Sequence, residues 1–473
     1  MQTSATFIQQ AAMGRVAVDV TRHTVLLPPH VHVPYEGSDP AVAASFRHGF
    51  APSFGSGIAL REKLADGTLV FYCLTDRGPN GDGPQVPGPD GALMDSKLFP
   101  APNFTPSIGV LQVDAHGAAL VSSLPIRMSA TQPVSGLPLP PGTLGNSAEI
   151  PLHDSLRFED AGRPMFHAGG IDSEAMAYDR VRGMLWITDE YGPFLLQIDP
   201  ATGLVQARYG PGHGLPSILA RRRANRGMEG MALDPASGRI HAFLQSPLSG
   251  DSKDVERYAR FLRWVEFDPA SGATVRMLAY PLEAAAFAGG KTGHAKLGDM
   301  APLGDGKFVV IEQAQGSDGR MFHHLVMVDL AGATDIGAAA CNPHTADLEH
   351  SSLAGEAVNG ASWAQVIPLK KTLLLDLNAL GWTAEKAEGL ALVDGRTLAL
   401  TNDSDFGMQT RVYDAAGQEL HEDVTQFEAD SAGHIVAGSA RAHVVRVAPA
   451  EPDAGVFSLW LLRFERPLLD YAV

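Results

Sequence analysis

The chain has 473 residues, a formal net charge of −17 and 45% hydrophobic residues. This acidic balance argues against a nucleic-acid partner, because binding to a phosphate backbone needs a basic surface. No run approaches the ~20 apolar residues that a membrane helix needs, so no membrane insertion is expected. The 50 glycines and 33 prolines fall between short apolar runs, which favours many turns and an all-β fold over disorder.

The chain begins with MQTSATFIQQAAMGR, which has neither a basic region nor an apolar core and does not match a signal peptide. The next segment, VAVDVTRHTVLLP, predicts a strand that could close the fold against the end of the chain. The two cysteines, Cys73 and Cys341, lie near apolar sequence. They are predicted to be buried free thiols rather than a disulfide framework.

A short pattern then recurs five times. An acidic or small residue and an apolar pair precede a glycine-containing turn, and a β-branched or aromatic run follows and ends in acidic or amide residues. The copies begin at Ser56, Glu174, Glu229, Asp299 and Glu388. A further strand after each copy ends in Asp, with Gly three or four residues later, which is good hairpin chemistry. Each copy therefore predicts a four-stranded antiparallel meander, the unit of a propeller blade.

A weaker sixth unit is predicted from Phe427 to the apolar run VFSLWLLRF. Two insertions interrupt the repeat, residues 128–168 and residues 338–387, and the second contains LKKTLLLDLNALG. They are predicted either to cap one face or to decorate the surface. The sequence thus predicts one domain over residues 1–473: an all-β, single β-propeller of six four-stranded blades with two capping insertions.

The repeat also delivers carboxylates. In an antiparallel hairpin the start of the first strand lies beside the end of the second. Because the first strand of a propeller blade lines the axis, side chains at these positions should gather at one rim of the central channel. The expected pairs are Glu174 with Asp189 and Glu190, Glu229 with Gln245, Asp299 with Glu312, Glu388 with Asn402 and Asp403, and Ser56 with Asp76.

Carboxylates a few ångströms apart stay ionised together only when cations neutralise them. Oxygen ligands without Cys or His spacing suit a hard cation, Ca²⁺ before Mg²⁺. The predicted metal ligands are Asp76, Glu174, Glu229, Asp299, Glu388 and Asp403. The alternative is that each acid only accepts backbone N–H groups between blades.

Two arginines are predicted to bind a phosphate or carboxylate group: Arg77 in TDRGPNGDG and Arg226 in NRG. A salt bridge to a neighbouring rim acid is the alternative for either. Glu190 or Glu312 is the predicted general base. His167 is a further candidate base or, alternatively, a hydrogen-bonded loop residue.

The motifs TDRGPN, GGIDSEAMAYD, LWITDEYGPFLLQID, NRGMEGMALDP and TNDSDFG occur in this order within residues 50–410. In this the sequence resembles the family called esterase-like activity of phytase. The resemblance implies a β-propeller rich in Glu and Asp with phosphoesterase or phosphodiesterase activity. It also implies an exported protein, periplasmic or secreted, although the N-terminus shows no leader. The acidic positions it carries over are Asp76, Glu174, Glu190, Glu229, Glu312, Glu388 and Asp403.

The leading hypothesis is a Ca²⁺-dependent phosphoric-ester hydrolase that acts on a small phosphorylated substrate, with a diester favoured on resemblance alone. A second hypothesis is metal-dependent hydrolysis of a lactone or carboxylic ester, as in gluconolactonase-like propellers. A third is a non-catalytic, calcium-stabilised binding propeller, because fold alone does not determine function.

Overall fold

Five four-stranded antiparallel meanders, here called units 1 to 5, form the body of the computed structural model. The structure describes residues 2–11, 14–88, 90–156, 159–160, 163–250, 252–430, 433–438 and 441–472. In sheet order the strands are Gly57–Lys63, Leu69–Leu74, Ser107–Asp114 and Gly117–Pro125 in unit 1; Ser173–Asp179, Met184–Asp189, Phe194–Ile198 and Val205–Pro211 in unit 2; Met228–Leu233, Ile240–Leu244, Phe261–Asp268 and Ala273–Pro281 in unit 3; Lys296–Gly304, Lys307–Gln315, Met321–Asp329 and Lys370–Asp376 in unit 4; and Leu390–Asp394, Thr397–Thr401, Ser458–Phe464 and Gly14–Leu26 in unit 5.

The first strands of the five units contact one another in a ring, from unit 1 through unit 5 and back to unit 1. The glycine of the repeat makes this approach possible. A Cβ added to Gly230 would lie 2.6 Å from the carbonyl oxygen of Gly298, and one added to Gly57 would lie 2.6 Å from that of Glu174. A side chain at either position would therefore clash with the neighbouring strand. The resulting fold is mostly β and propeller-like.

The N-terminal strand closes the ring, as the sequence indicates. Gly14–Leu26 pairs antiparallel with Ser458–Phe464, the VFSLWLLRF run, with Val18 opposite Phe464. It also pairs in parallel with the outer strand of unit 1, where Val25 lies opposite Ala118. Units 5 and 1 thus share one continuous sheet, and the outer edge strand of each is covered.

The prediction of six blades is wrong for the part of the chain that the structure describes. The run VFSLWLLRF is the third strand of unit 5, and no separate sixth unit forms in the described ranges. Met408–Asp414 leaves unit 5 and pairs instead with Ala442–Pro449. Part of the predicted sixth unit, residues 431–432 and 439–440, lies outside the described residues.

The excursion from residue 408 to residue 449 packs over the opening of the ring rather than extending it. The Thr410 hydroxyl donates a hydrogen bond to the carbonyl oxygen of Asp82 at 2.6 Å. A parallel bridge joins Gln85 to Glu428. The excursion therefore contacts the Gly-rich loop that follows the second strand of unit 1.

The two insertions have different positions. Residues 128–168 lie partly outside the described residues, at 157–158 and 161–162, and their described part brings Glu149 to the central cavity. The second insertion is fixed to unit 3 by a buried ion pair, in which Arg263 Nε lies 2.7 Å from Glu349 Oε1. Its last residues reach the central cavity, whereas its helix packs on the flank. The described part of the first insertion and the end of the second thus contribute residues to the cavity, and capping of one face stays a prediction.

Short helices and further strands occupy the connections. No helix among the described residues is both long enough and apolar enough to cross a membrane. The α-helices are Pro40–Ser45, Lys253–Tyr258 and Asp347–Ala354, and the 3-10 helices are Pro29–Val31, Ser217–Arg221, Ala284–Ala286, Ala288–Gly290, Thr292–His294, Ala339–Cys341, Trp363–Gln365, Asn378–Leu380, Asp405–Gly407, Val424–Gln426 and Leu468–Tyr471. The remaining strands are Gln2–Ala11, Gly81–Asp82, Val86–Pro87, Leu93–Met94, Ser96–Leu98, Arg127–Ser129, Gln132–Pro133, Ile150–Leu152, Glu159–Asp160, Arg163–Pro164, Gly214–Leu215, Met408–Asp414, Glu428–Ala429, Ile435–Ala437 and Ala442–Pro449.

Both cysteines are buried free thiols, as predicted. Cys73 lies in the second strand of unit 1, and burial raises the pKa of its thiol well above the usual value. A thiol with a raised pKa is a weak nucleophile. Cys73 therefore contributes to packing rather than to chemistry.

Candidate functional site

A cavity of about 550 Å³ lies at the end of the ring where the first strands begin. Its wall is almost entirely polar and carries twelve carboxyl groups but only five cationic side chains. The acids are Asp76, Asp82, Asp95, Glu149, Asp172, Glu174, Glu190, Glu229, Glu385, Glu388, Asp403 and Asp405, and the cations are Arg77, Lys97, Arg226, Lys296 and Lys386. The convergence of acids predicted from the repeat is therefore present in the structure.

Threonines at the ends of second strands donate hydrogen bonds to the backbone of the neighbouring unit. The Thr188 hydroxyl donates to the carbonyl oxygen of Glu229 at 2.7 Å. The Thr401 hydroxyl donates to the carbonyl oxygen of Gly55 at 2.8 Å. In the motifs ITDE and LTND the threonine binds the next unit, and the acid two positions later, Glu190 or Asp403, lines the cavity. This pairing explains why a local sequence repeat builds a shared site.

Three glutamates from three first strands form the centre of the cavity. Carboxylate oxygens of Glu174, Glu229 and Glu388 all lie within 4.8 Å of one another. Glu229 accepts a hydrogen bond from Gln245 Nε2 at 3.1 Å, which confirms that predicted pair. Glu388 Oε2 is buried and has no hydrogen-bond partner among the residues that the structure describes. We call Glu174, Glu229 and Glu388 the glutamate triad.

A second group shares Glu174 with the triad. Oxygens of Asp172, Glu174 and Glu190 also lie within 4.8 Å of one another. Burial, and after it the charge of Asp172, raises the pKa of Glu190 to about 8. Burial and the neighbouring carboxylates hold the pKa values of Glu174, Glu229 and Glu388 well above their usual range. Protons or a cation must therefore offset the charge of these groups.

The raised pKa values make a prediction for the metal-free protein. The folded state holds the Glu190 proton more tightly than the unfolded state, so its contribution to stability is present below the unfolded pKa and is lost as pH rises through about 8. We expect the free energy of unfolding in chelator to fall as pH rises from 5 to 9. Urea titrations at several pH values measure it, and Glu190→Gln should flatten the slope. A slope that the substitution leaves unchanged would contradict the assignment.

The two predicted arginines differ in how they are held. Arg77 Nη1 lies 3.2 Å from Glu149 Oε2, and its Nε lies 3.4 Å from Asp172 Oδ2. Its guanidinium also contacts Asn225 Oδ1 at 3.2 Å. Arg77 is therefore tied to rim acids, which is the salt-bridge alternative considered from the sequence.

Arg226 has no carboxylate within 4.0 Å among the described residues, and its Nη1 donates only to the carbonyl oxygen of Ala295 at 3.1 Å. Burial and the charge of Arg223 lower its pKa to about 10, so it stays protonated at neutral pH. Lys296 lines the same wall, also without an ion pair in the described part of the chain. The Arg226 and Lys296 side chains are therefore available to bind an anionic ligand.

Asp403 lines the cavity but is already paired. Lys386 Nζ lies 2.7 Å from Asp403 Oδ2 and 2.6 Å from Asp405 Oδ1. Although burial opposes ionisation, the Lys386 ammonium holds the pKa of Asp403 below its usual value. Asp403 is thus an ionised acid with an internal counterion, and it is a weaker candidate for a metal ligand than the glutamate triad.

The structure corrects the predicted positions of Asp299 and Glu312, neither of which lines the cavity. Asp299 accepts backbone N–H groups of Met231 and Leu390, at 3.0 and 3.2 Å, from the strands on either side. Glu312 is buried away from the cavity and accepts hydrogen bonds from Tyr280 at 2.6 Å and Lys371 at 2.7 Å. Asp299 is therefore the inter-blade acceptor considered as an alternative to a ligand.

A one-residue offset explains the error at Asp299. In units 2, 3 and 5 the acid directly precedes a small residue, as in Glu229-Gly230, but in unit 4 the order is Gly298-Asp299. Shifting a strand residue by one position places its side chain on the opposite face. Gln313, rather than Glu312, then reaches the cavity from the second strand of unit 4.

Asp299→Asn tests this correction. We expect it to lower the free energy of unfolding by roughly 1–2 kcal/mol, because an amide accepts fewer of the backbone hydrogen bonds that the carboxylate accepts. We expect the response of the melting temperature to Ca²⁺ to stay that of the wild type, since Asp299 does not face the cavity. A lost Ca²⁺ response in an otherwise folded variant would restore Asp299 as a ligand.

The remaining predicted residues have clear positions. Asp76 lines the cavity and its carboxylate accepts the N–H of Gly78 at 2.9 Å. His167 lies outside the cavity and its Nδ1 accepts the N–H of Gly169 at 3.0 Å, so it is a loop residue. Ser56 is buried and does not line the cavity.

The sequence does not predict several of the charged cavity residues, among them Asp95, Lys97, Glu149, Asp172, Lys296, Glu385, Lys386 and Asp405. Asp172 and Lys386 each lie two positions before a repeat glutamate, which was a usable local signal. Glu149 comes from an insertion, and Lys296 precedes the unit 4 copy. Their positions depend on tertiary packing that the repeat does not encode.

Comparison with known families identifies the chain. The model of the phytase-like family, described as esterase-like activity of phytase, matches residues 107–406. The chain belongs to this family. The family inferred from the sequence motifs is thus confirmed, and the match includes every residue of the glutamate triad.

Two other kinds of similarity were found. The chain is 24% identical over 277 residues to an uncharacterized secreted protein of Arthroderma benhamiae. The match covers 47% of this chain and 49% of that protein. The chain thus spans about half the length of this curated relative.

Solved structures that the chain matches weakly include the catalytic domain of a GH62 α-L-arabinofuranosidase from Coprinopsis cinerea. It is 11% identical with a TM-score of 0.34, covering 94% of this chain and 98% of that one. A GH43_1 enzyme from Xanthomonas citri is 8% identical with a TM-score of 0.33, covering 86% of this chain and 91% of that one. Similarity at this level gives no information on the reaction of the phytase-like chain.

Proposed function

We propose that the protein is a Ca²⁺-dependent phosphoric-ester hydrolase whose reaction takes place in the carboxylate cavity. The observation that carries the proposal is the combination of a buried glutamate triad with two unpaired cations on the same cavity wall. The phytase-like family description, which points to ester hydrolysis, supports this choice.

The donor set fits a hard divalent cation. The triad offers only carboxylate oxygens, and Glu388 Oε2 is buried without a partner. A buried acceptor left unsatisfied is costly, so an oxygen in this position indicates a missing donor or cation. Glu174, Glu229 and Glu388 would hold the ion, with Asp172 as a neighbour. Bound Ca²⁺ would neutralise phosphate charge and lower the pKa of a water ligand.

The cationic wall would position the phosphoryl group. Within the described part of the chain Arg226 has one backbone acceptor and no acid partner, so most of its guanidinium donors remain for phosphate oxygens. Lys296 on the same wall adds a second positive charge. Arg77, in contrast, is paired with Glu149 and Asp172. Its role in this proposal is therefore to position Asp172 and not to bind substrate.

Glu190 would act as the general base. It lies within the acid cluster but outside the triad, and its pKa of about 8 places its proton transfer near neutral pH. Its carboxylate would take a proton from the attacking water while Arg226 holds the phosphoryl oxygens. Glu312, the other predicted base, is not part of this proposal because Tyr280 and Lys371 occupy it outside the cavity.

Hydrolysis assays decide between this proposal and its alternatives. p-Nitrophenyl phosphate and bis-p-nitrophenyl phosphate are each tested with Ca²⁺, with Mg²⁺ and with chelator, beside p-nitrophenyl acetate and a lactone. We expect turnover of a phosphate ester that requires the divalent ion. Turnover of the lactone or acetate alone would favour the carboxylic-ester alternative. No turnover of any substrate, together with retained Ca²⁺ binding, would favour the binding propeller.

A further inference from the structure

A second cavity, of about 360 Å³, lies between the first insertion and the outer strands of unit 2. It shares no residue with the carboxylate cavity. Its wall is largely apolar, with Leu139, Leu144, Phe194 and Pro211 beside the cationic side chain of Arg208. Its size is at the lower end of the range for small-molecule sites, about 300–1,000 Å³.

Arg208 is held in an unusual way for a largely buried arginine. Its guanidinium carbon lies 3.6 Å above the centre of the Phe194 ring. Its Nε is buried and donates to no acceptor, and no carboxylate lies within 4.0 Å among the residues that the structure describes. Stacking fixes the plane of the guanidinium and leaves its edge for a planar partner.

Asp189 is the acid that influences Arg208 through space, and one of its two carboxylate oxygens is hydrogen-bonded to backbone N–H groups. Its Oδ1 accepts the N–H groups of Asp172 and Tyr191, each at 3.0 Å. Burial raises the pKa of Asp189 to about 7, although the charge of Arg208 opposes this shift. Asp189 is therefore a through-space neighbour of Arg208 and, among the described residues, not an ion-pair partner within 4.0 Å.

We propose that this cavity binds a small amphipathic anion, a carboxylate or phosphate on an apolar body, with the anionic group on the Arg208 guanidinium. The apolar walls would bury the body of the ligand, and the guanidinium edge would bind two oxygens of the anion. The proposal does not depend on the hydrolase activity, because the two cavities are separate.

Calorimetric titration of the full chain tests the proposal. The ligands are benzoate, phenyl phosphate and, as the neutral analogue, benzamide. We expect at least one of the two anions to bind with a millimolar or tighter dissociation constant and benzamide to bind more than about tenfold more weakly, because a charged hydrogen-bond pair is lost. Which anion binds more tightly distinguishes a carboxylate site from a phosphate site.

Arg208→Gln should weaken binding of the anion more than about tenfold while benzamide stays unchanged. Arg180→Gln is the matched control, since Arg180 also stacks on an aromatic ring of unit 2, with its guanidinium carbon 5.4 Å from the centre of Tyr178, but lies outside the cavity. Leu144→Glu should also abolish anion binding by placing a negative charge in the wall. Failure of both anions to bind, equal binding of benzamide, or full binding by folded Arg208→Gln would each overturn the proposal.

Discussion

Glu388→Gln is expected to remove the stabilisation of the fold by Ca²⁺. An ion that binds only the folded state stabilises it by about 2.7 kcal/mol at a hundredfold excess over its dissociation constant. Glutamine keeps the shape of the side chain but removes the negative charge that Glu388 contributes to the triad. The substitution breaks no hydrogen bond of Glu388 Oε2, because this oxygen has no partner among the described residues. Melting curves with Ca²⁺ and with chelator measure the stabilisation by Ca²⁺. The variant should lose nearly all of the difference in melting temperature that the wild type shows between the two conditions.

The same variant should behave in the opposite way without metal. In chelator the triad carboxylates repel one another and their pKa values are raised by burial, so replacing one acid should leave stability unchanged or increase it. Glu385→Gln is the control, because Glu385 lines the cavity but is exposed. The triad would be excluded as a metal site if Glu388→Gln kept the Ca²⁺ response of the wild type. It would also be excluded if the melting temperature of the wild type were the same with Ca²⁺ and with chelator.

Much of the site could be predicted because the hairpin rule is local. The start of one strand and the end of the next lie at the same edge, and this placed Glu174 near Glu190 and Glu229 beside Gln245. The rule failed at Asp299 because the first strand of unit 4 carries its acid one residue later. A sequence repeat shows that an acid is present, but the exact register determines which face it occupies.

The fold could be predicted to the level of repeated antiparallel units. Four of the five strands that end in Asp with a Gly three or four residues later are third strands, including Ser107–Asp114, where Asp114 Oδ1 accepts the N–H of Gly117 at 3.1 Å. The fifth, Met408–Asp414, has the same local pattern but pairs outside the ring. Its place in unit 5 is taken by Ser458–Phe464, which is more apolar and buried. Competition between distant strands for one position is not visible in a local pattern.

Segments without the repeat contribute the charges that distinguish this cavity from a plain acidic channel. Lys386 comes from the end of the second insertion and neutralises Asp403. Glu149 comes from the first insertion and holds Arg77. Because these contacts join residues far apart in sequence, only the folded chain shows which arginine is free and which acids are already paired.

Arg226→Ala is expected to lower kcat/KM for the phosphate ester about a hundredfold or more, since one donor to a developing oxyanion contributes roughly 3 kcal/mol. Stability should change little, because Arg226 makes a single hydrogen bond, to Ala295. Arg77→Ala should instead lower the free energy of unfolding by roughly 3–5 kcal/mol, because it leaves the buried Asp172 carboxylate without the Arg77 guanidinium. Arg223→Ala, whose side chain pairs with Glu256 outside the cavity, is the control. Full activity of Arg226→Ala would show that this cation does not bind the reacting group.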